Sequence, residues 1–337
     1  MLFSFLYTCL LAASIALYLP LVANAEEAVA QIGVQAPGFY RMRLGHFEIT
    51  ALSDGTHPFP IPTVMIRAKP NGAAEPLVQA RPGEAEALLA EQHLAMPYEG
   101  SINAFLINTG DKLVLIDAGA GSLYGACCGK LVANLRASGY RPEQVNEILL
   151  THLHADHVGG VAINGKMTFP NATIRVSRKE ADYWLNTANE ASAPSILLPM
   201  FKGAQLVLKP YIAAGRFQPF KGEGEVLPGF TAIATPGHTP GHTSYRIVSG
   251  ADTLLVWGDI VHVSPIQFPD PHVTVTYDSN QGGAEATRKE LFSQAVRGGF
   301  WIGAAHIAFP GLGHIGAEGG HFIWIPASYT TQVGASP

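Results

Sequence analysis

The sequence predicts an α/β fold in one domain. Short apolar runs of the kind that form strands occur in two groups, and helix-like segments are interleaved within each group. Neither a short repeat nor a clear linker divides the chain, so one domain is the simpler interpretation. Of the 337 residues, 47% are hydrophobic and 14% are charged, so the chain can bury a large core and is too apolar for a disordered protein.

The charge balance argues against one class of partner. The formal net charge is -5 at pH 7, whereas a protein that binds a nucleic-acid backbone usually carries a basic face. We therefore expect no nucleic-acid partner.

The first residues predict a targeting segment. Residues 1–21 are almost wholly apolar, and Ala23-Asn24-Ala25 has the small residues of a cleavage site. Acidic residues follow at once, which favours cleavage after Ala25. No Lys or Arg precedes the apolar run, and its length also permits an uncleaved membrane anchor. We expect a signal peptide at residues 1–25, a domain over residues 26–337, and a periplasmic or secreted location.

The first group of predicted strands begins with an alternating segment. Ser53-Asp54-Gly55 predicts a turn after it, and Thr109-Gly110-Asp111 predicts a hairpin between the next two strands. Gly139 is a good residue to end a helix, and Ser177 is a good one to begin a helix. The predicted strands are 46–52, 104–108, 112–117, 145–151 and 173–176, and the predicted helices are 84–92, 130–138 and 177–184.

The second group of predicted strands lies nearer the C-terminus. Its members are short and apolar, and an amphipathic helix that ends at Gly298-Gly299 separates the last of them from the others. The predicted strands are 231–234, 243–248, 253–257 and, as the final strand, 300–305, and the predicted helix is 285–297.

A dense cluster of metal-binding side chains follows the strand predicted at 145–151. The cluster reads His152-Leu153-His154-Ala155-Asp156-His157. Imidazole and carboxylate groups are the ligands that zinc and similar divalent ions prefer. The spacing of His152 and His154 lets both rings turn to one side, and Asp156 and His157 can serve a second ion around the following bend. The sequence therefore predicts a metal centre at this strand end.

Four further motifs accompany this cluster along the chain. They are Leu115-Ile116-Asp117-Ala118-Gly119, Thr235-Pro236-Gly237-His238-Thr239, Trp257-Gly258-Asp259, and His306 after Gly303-Ala304-Ala305. Together with the cluster they resemble the metallo-β-lactamase superfamily, and the resemblance covers nearly all of the mature chain. It implies an αβ/βα sandwich in which two β-sheets are flanked by helices.

The resemblance also implies a role for each motif residue. Two divalent metal ions are expected, and Asp259 would bridge them. Asp117 would support the site from behind the ligands, and Asp259 and Asp156 would be the catalytic carboxylates. One ion would be held by His152, His154 and His238, and the other by Asp156, His157 and His306.

The aspartate at the bridging position is similar to that of lactonases, thioester hydrolases and phosphoester hydrolases. Segments outside the metal motifs, among them Glu180-Ala181-Asp182-Tyr183-Trp184-Leu185 and Phe309-Pro310-Gly311-Leu312-Gly313-His314, look like the methyl parathion hydrolase group of organophosphorus hydrolases. That group implies a pocket entrance lined by aromatic residues, here Tyr124, Trp184 and Phe201. The group has Phe where Tyr124 stands, and the aromatics could instead be ordinary core residues.

The expected activity is hydrolysis of organophosphate triesters or activated esters by a metal-bridging hydroxide. A lactonase or arylesterase with incidental phosphotriesterase activity is the alternative, and a metal-binding protein without turnover is a third hypothesis. Zinc is the expected metal, while manganese, cobalt or iron would also suit the ligands. The substrate would be a small ester, lactone or phosphotriester, and the resemblance implies a homodimer.

Overall fold

Two large β-sheets with helices on their outer faces dominate the architecture, as the resemblance implied, and two small sheets accompany them. The structure is a computed structural model that describes residues 29–68 and 73–333. The predicted signal peptide lies outside the described residues. In the described part, residues 29–36 form no regular element.

The strands, in chain order, are β1 (Phe39–Leu44), β2 (Phe47–Phe59), β3 (Met65–Ala68), β4 (Ala74–Pro76), β5 (Tyr98–Asn108), β6 (Leu113–Ile116), β7 (Glu147–Leu149), β8 (Ala162–Ile163), β9 (Lys166–Met167), β10 (Thr173–Arg175), β11 (Gly224–Leu227), β12 (Phe230–Ala234), β13 (Thr243–Ser249), β14 (Asp252–Val256), β15 (Thr274–Val275), β16 (Trp301–Gly303), β17 (Leu312–Glu318) and β18 (His321–Pro326).

The helices are α1 (Ile61–Val64), α2 (Leu77–Ala80), α3 (Glu84–Glu91), α4 (Leu131–Ala137), α5 (Ala155–Val158), α6 (Arg178–Trp184), α7 (Thr187–Ser192), α8 (Leu198–Ala213), α9 (Ser264–Gln267) and α10 (Gln281–Gly298). Turns of 3₁₀ helix lie at Gly125–Cys127, Pro142–Gln144, Gly159–Val161 and Ser195–Leu197. Within the described ranges, no helix combines the length and the apolar character needed to cross a membrane.

The first sheet has the strand order β1-β2-β5-β6-β7-β10. Its first four strands are antiparallel, whereas β6, β7 and β10 run parallel to one another. The second sheet has the order β11-β12-β13-β14-β16-β17-β18, and only β14 and β16 pair in parallel there. Each sheet thus places the ends of parallel strands at its centre or on one side, where side chains that follow the strands can converge.

An apolar core lies between the sheets. It joins Phe105, Leu149 and Val114 of the first sheet with Phe230 and Tyr245 of the second. Burial of apolar surface on both inner faces stabilises this packing. The helices cover the outer faces: α4, α6 and α8 bury apolar residues against the first sheet, and α10 does so against the second.

Several predicted elements are confirmed, namely the strands of the two groups, α3, α4, α6 and α10. The turn predicted at Ser53-Asp54-Gly55 is wrong, because β2 continues to Phe59 and accommodates these residues in a bulge. Asp54 is fully buried there. The strand at Trp301–Gly303 is not the last one, since β17 and β18 follow it.

Helix α8 was not predicted at all. Its sequence contains Pro199, Gly203 and Pro210, which usually indicate a loop or a break. Pro199 lies in the first turn, where its missing N–H group costs nothing. The helix forms because its inner face buries Ala204, Leu208 and neighbouring apolar residues against the first sheet.

Candidate metal centre

The site lies where strand ends of both sheets meet. Asp117 follows β6, His152 and His154 follow β7, and His238 follows β12. Asp259 follows β14, and His306 follows β16. Side chains that are distant in sequence therefore come together because their strands end on the same side of the sandwich.

Two groups of donor atoms contain the predicted ligands, and a third, overlapping set joins His262 to Asp259 and His306. The first donor group contains His152, His154, His238 and Asp259, and the second contains Asp156, His157 and His306. Every member is buried. The structure thus brings together all seven residues that the sequence proposed as ligands.

Distances between donor atoms join the two groups through Asp259. Its Oδ2 lies 3.2 Å from His238 Nε2 and 3.6 Å from His152 Nε2. Its Oδ1 lies 3.0 Å from His157 Nε2 and 3.1 Å from His306 Nε2. Oδ2 therefore faces histidines of the first donor group and Oδ1 faces those of the second, and His306 Nε2 is also 3.2 Å from Oδ2. A carboxylate in this position could bridge two cations.

The site passes a physical test for metal binding. Nε2 of His152 is buried and has no hydrogen-bond partner, and such a group is costly to bury unless something binds it. Ligand atoms around a tetrahedral zinc ion lie about 3.4 Å apart, given metal–ligand distances of about 2.1 Å. The observed separations match that spacing, so the residues fit a pair of divalent cations.

Asp117 holds two parts of the site in place. Its Oδ2 lies 2.8 Å from His157 Nδ1, and its two oxygens accept hydrogen bonds of 2.8 Å from Thr151 N and Oγ1. The backbone of Asp117 has a φ of 59°, a left-handed conformation that Asp tolerates better than most residues. This carboxylate orients His157 and fixes the segment that carries His152.

The other histidines have comparable partners that the sequence analysis missed. Asp278 Oδ1 lies 2.7 Å from His238 Nδ1, and the backbone oxygen of Ser101 lies 2.8 Å from His306 Nδ1. Nothing near Asp278 in sequence marks it as part of a metal site, because it lies 40 residues beyond His238. Its role depends on the tertiary fold.

His242 is a buried, hydrogen-bonded structural residue behind the ligands. Its Nδ1 lies 2.8 Å from Thr235 Oγ1, and its Nε2 accepts a hydrogen bond of 3.0 Å from the backbone N–H of Asp259. Burial lowers the pKa of His242 to about 3. The ring therefore stays neutral, as an acceptor from Asp259 must.

Glu180 links the two loops that carry the first donor group. It is fully buried, and it accepts hydrogen bonds of 3.0 Å from Leu153 N, 2.8 Å from Thr239 Oγ1 and 2.9 Å from Gly241 N. Leu153 lies between His152 and His154, and Thr239 follows His238. One carboxylate on α6 therefore sets the distance between ligands of the first and second sheets.

A small cavity opens onto the donor atoms. Its volume is about 150 Å³, below the range of about 300–1,000 Å³ of pockets that hold drug-sized ligands. The lining residues are His57, Phe59, Pro60, Val64, Tyr124, His154, Asp156, Met200, Asp259, His262, Tyr277 and His306. Both donor groups thus contribute to the cavity wall.

Of the three aromatic residues expected at the pocket entrance, the structure places Tyr124 on the cavity wall. Trp184 and Phe201 are 1% and 0% exposed and do not line the cavity. They lie in the core because α6 and α8 pack their inner faces onto the first sheet. The ring of Trp184 contacts His154 edge-on at 5.0 Å between centroids, so it supports a ligand from behind.

Two histidines without motif support also reach the cavity. His57 lies on β2 and lines the cavity. His262 is 2% exposed, and its Nε2 lies 3.2 Å from Asp259 Oδ2. A single histidine in an irregular segment gives no sequence signal, so only the fold reveals these positions.

The close packing of histidines and carboxylates in the site shifts their pKa values. Burial alone would lower the pKa of His157, but the carboxylates of Asp259, Asp156 and Asp117 raise it well above its usual value. Burial would raise the pKa of Asp259, yet His157, His306 and His152 hold it well below its usual value. The carboxylate is therefore ionised and available as a ligand.

Comparison with known proteins agrees with this geometry. Residues 97–306 match the metallo-beta-lactamase superfamily. The crystal structure of the hydrolase AbOPH, in the beta lactamase superfamily, is similar with a TM-score of 0.80 and 37% identity, covering 88% of this chain and 100% of that one. AidC, a dizinc quorum-quenching lactonase, is similar with a TM-score of 0.76 and 28% identity over 87% of this chain and 99% of that one.

Curated relatives cover a shorter region. An N-acyl homoserine lactonase of Bacillus cereus is 33% identical over 127 residues, which are 38% of this chain and 42% of the relative. The chain thus spans about two fifths of the length of the first such relatives. Because the superfamily match covers more than half of the chain and contains all seven donor residues, the chain belongs to the metallo-β-lactamase superfamily.

Proposed function

We propose that this protein is a dinuclear metal-dependent hydrolase that opens lactone rings. One observation carries the proposal: both donor groups line a single small cavity that also contains the Tyr124 hydroxyl. The similarity to AidC and to the N-acyl homoserine lactonase supports the choice of a lactone. The modest cavity suits a small ring, with any acyl chain extending outwards.

The residues of the chain prepare the site for hydrolysis. When bound, two divalent cations supply hydroxide near neutral pH and polarise the carbonyl group of the substrate. Asp259 and Asp156 would hold the cations together with the histidines. Asp117 and Asp278 keep His157 and His238 in fixed orientations. Burial of the cluster limits access of bulk water and strengthens its electrostatic interactions.

The cavity wall favours a polar substrate. Tyr124, His57 and His262 place a hydroxyl and two imidazoles around the space where a substrate would lie. A lactone offers two oxygens that can accept hydrogen bonds from such groups. Phe59, Val64 and Met200 supply an apolar wall on which an acyl chain could pack.

The second candidate is hydrolysis of aryl phosphotriesters. The same apolar wall of Phe59, Val64 and Met200 favours it, as does the resemblance of segments outside the metal motifs to the methyl parathion hydrolase group. The core positions of Trp184 and Phe201 reduce the aromatic surface that an aryl group could contact.

A side-by-side measurement tests the two candidates. We would measure kcat/KM for N-hexanoyl homoserine lactone and for a dimethyl aryl phosphorothioate, using protein reconstituted with zinc and metal-free protein as the blank. We expect the lactone to exceed the phosphorothioate by orders of magnitude. A clear preference for the phosphorothioate would reverse the assignment, and no turnover of either compound would leave a metal-binding protein.

Three further properties belong to the proposal. Zinc is the resident metal, the protein is a homodimer, and it is exported after cleavage behind Ala25. Metal analysis of the purified protein tests the identity of the metal. The molecular mass in solution tests the homodimer, and the mass of the N-terminal peptide of the mature protein tests the cleavage site.

A further inference from the structure

The Tyr124 hydroxyl is a hydrogen-bond donor without a strong partner. Tyr124 lines the cavity, and among residues 29–68 and 73–333 its hydroxyl contacts Asp156 Oδ1 at 3.3 Å. Hydrogen bonds between a hydroxyl group and an oxygen usually measure about 2.5–3.0 Å. The contact is therefore weak, and the proton can be donated to a substrate atom at little cost.

The chain holds Tyr124 in place from both sides. Asp54 accepts hydrogen bonds of 2.9 Å from Ala120 N, 3.0 Å from Gly129 N and 3.0 Å from Leu131 N, which bracket the turn that carries Tyr124. The ring of His57 contacts Tyr124 edge-on at 5.7 Å between centroids. A donor fixed in this way needs no reorganisation when the substrate binds, which is the condition for electrostatic stabilisation of a transition state.

The chemistry of the leaving group determines how strongly such a hydrogen-bond donor can stabilise the transition state. Opening an aliphatic lactone releases an alkoxide, which is strongly basic, whereas an aryl ester or aryl phosphotriester releases a stabilised phenoxide. A hydrogen bond to the leaving oxygen therefore matters more for the aliphatic lactone, because more negative charge develops on that oxygen.

We propose that Tyr124 donates a hydrogen bond to the leaving oxygen and thereby makes the site selective for esters with an alkoxide leaving group, aliphatic lactones above all. This inference rests on the proposed hydrolase function. In this step the bond between the carbonyl carbon and the ring oxygen breaks, and its electron pair stays on the ring oxygen. One proton of the attacking water ends on that oxygen, so the products are a carboxylate, a free hydroxyl group and one released proton.

The cavity size supports contact between Tyr124 and the reacting atoms. Tyr124, Asp156 and Asp259 all line this cavity of about 150 Å³. Because the Tyr124 hydroxyl lies 3.3 Å from Asp156 Oδ1, an ester group bound beside that carboxylate would be within reach of the hydroxyl.

The test is the variant Tyr124→Phe, which removes one oxygen and keeps the ring. We would measure kcat/KM for an aliphatic lactone and for a series of aryl esters of increasing leaving-group pKa. We expect a loss of about 10- to 100-fold for the lactone and less than about threefold for the most activated aryl ester. The slope of log kcat/KM against leaving-group pKa should become steeper, and metal content per chain should stay unchanged.

Two matched variants complete the experiment. Tyr183→Phe removes a phenol oxygen from a ring that does not line the cavity, and it should leave the slope unchanged. Tyr277→Phe removes the other tyrosine hydroxyl of the cavity wall. An equal loss for all leaving groups in Tyr124→Phe, or a leaving-group-dependent loss in Tyr277→Phe alone, would overturn the proposal. If wild-type protein opens no lactone, the proposed function fails instead, and the aryl-ester slope still tests Tyr124.

Discussion

At the scale of single residues, the ligands depend on the groups that stand behind them. His157 and His238 each present Nε2 to the donor cluster because a carboxylate engages Nδ1 on the other side of the ring. Such partners fix the ring orientation and the tautomer, and their loss typically lowers metal affinity. The buried partners are therefore as much a part of the site as the ligands.

Asp117→Asn tests this directly. The amide cannot keep both the contact with His157 and the hydrogen bonds from Thr151, so we expect affinity for the ion held by the second donor group to fall about 10- to 100-fold. Competition with a chelator, followed by the metal content per chain, measures this affinity. Asp111→Asn in the exposed hairpin is the control. Unchanged binding of both ions in Asp117→Asn would contradict the role assigned here.

His242 gives a prediction for pH dependence. Because burial lowers its folded-state pKa to about 3, the unfolded chain takes up this proton more readily than the folded one does. The stability contributed by the neutral ring is complete above the unfolded value of about 6.5 and is lost as the pH falls towards 3.

The loss attributable to His242 should reach about 2 kcal/mol between pH 6.5 and pH 5. Urea unfolding of the metal-free protein at both pH values measures the change in the free energy of unfolding. This change should be smaller in His242→Gln than in the wild-type protein. His46→Gln at an exposed position serves as the control. An identical pH dependence in wild-type protein and His242→Gln would show that this ring does not control acid stability.

At the scale of elements, the site depends on how loops from different sheets are joined. The loop after β7 and the loop after β12 both bond to Glu180 at the start of α6. Arg288 of α10 joins two further segments, one of which directly follows Asp259. It is buried and donates hydrogen bonds to the backbone oxygens of Ile260 and Val273.

Glu180→Gln should loosen the first donor group. The amide NH₂ group would face the N–H of Gly241, so at least one buried donor loses its acceptor, at a cost of about 1–3 kcal/mol in the free energy of unfolding. We also expect weaker binding of the ion at the first donor group, with the second less affected. Chemical unfolding and stepwise chelation measure the two effects.

The control for that experiment is Glu143→Gln, since Glu143 is exposed. Full stability together with reduced metal affinity would still fit a positioning role for Glu180. Reduced stability with both ions bound as tightly as in wild-type protein would reduce Glu180 to a purely structural residue.

At the scale of the whole molecule, the metal centre joins the two halves of the sandwich. The first donor group takes His152 and His154 from the first sheet, and His238 and Asp259 from the second. Bound ions would therefore link the sheets, and the buried nitrogens that lack partners would gain them. Binding energy of this kind adds directly to the stability of the folded state.

Removal of the ions should accordingly lower the melting temperature. At a free-ion concentration of about 1,000 times Kd, each ion stabilises the folded state by about 4 kcal/mol. Differential scanning calorimetry before chelation, after chelation and after addition of zinc would measure the change and its reversal. An unchanged melting temperature after verified metal removal would show that the ions do not hold the sheets together.

Local sequence patterns were enough to locate most of the metal ligands. The donors lie in short motifs directly after apolar strands, so local order and periodicity place His152, Asp259 and His306 at strand ends. The resemblance to the metallo-β-lactamase superfamily rested on these local patterns, and it predicted the sandwich correctly. Helix α8 was missed because its prolines act locally, whereas the burial that stabilises it is tertiary.

The residues that surround the ligands could not be predicted, because they depend on how distant segments pack together. Glu180, Asp278 and Asp54 make contacts across 27 to 77 residues of sequence, which no local pattern records. The same holds for His57 and His262 on the cavity wall, and for the burial of Trp184 and Phe201 in the core. Ligand identity follows from donor chemistry, which is local, but support and shape follow from packing between distant segments, which depends on the fold as a whole.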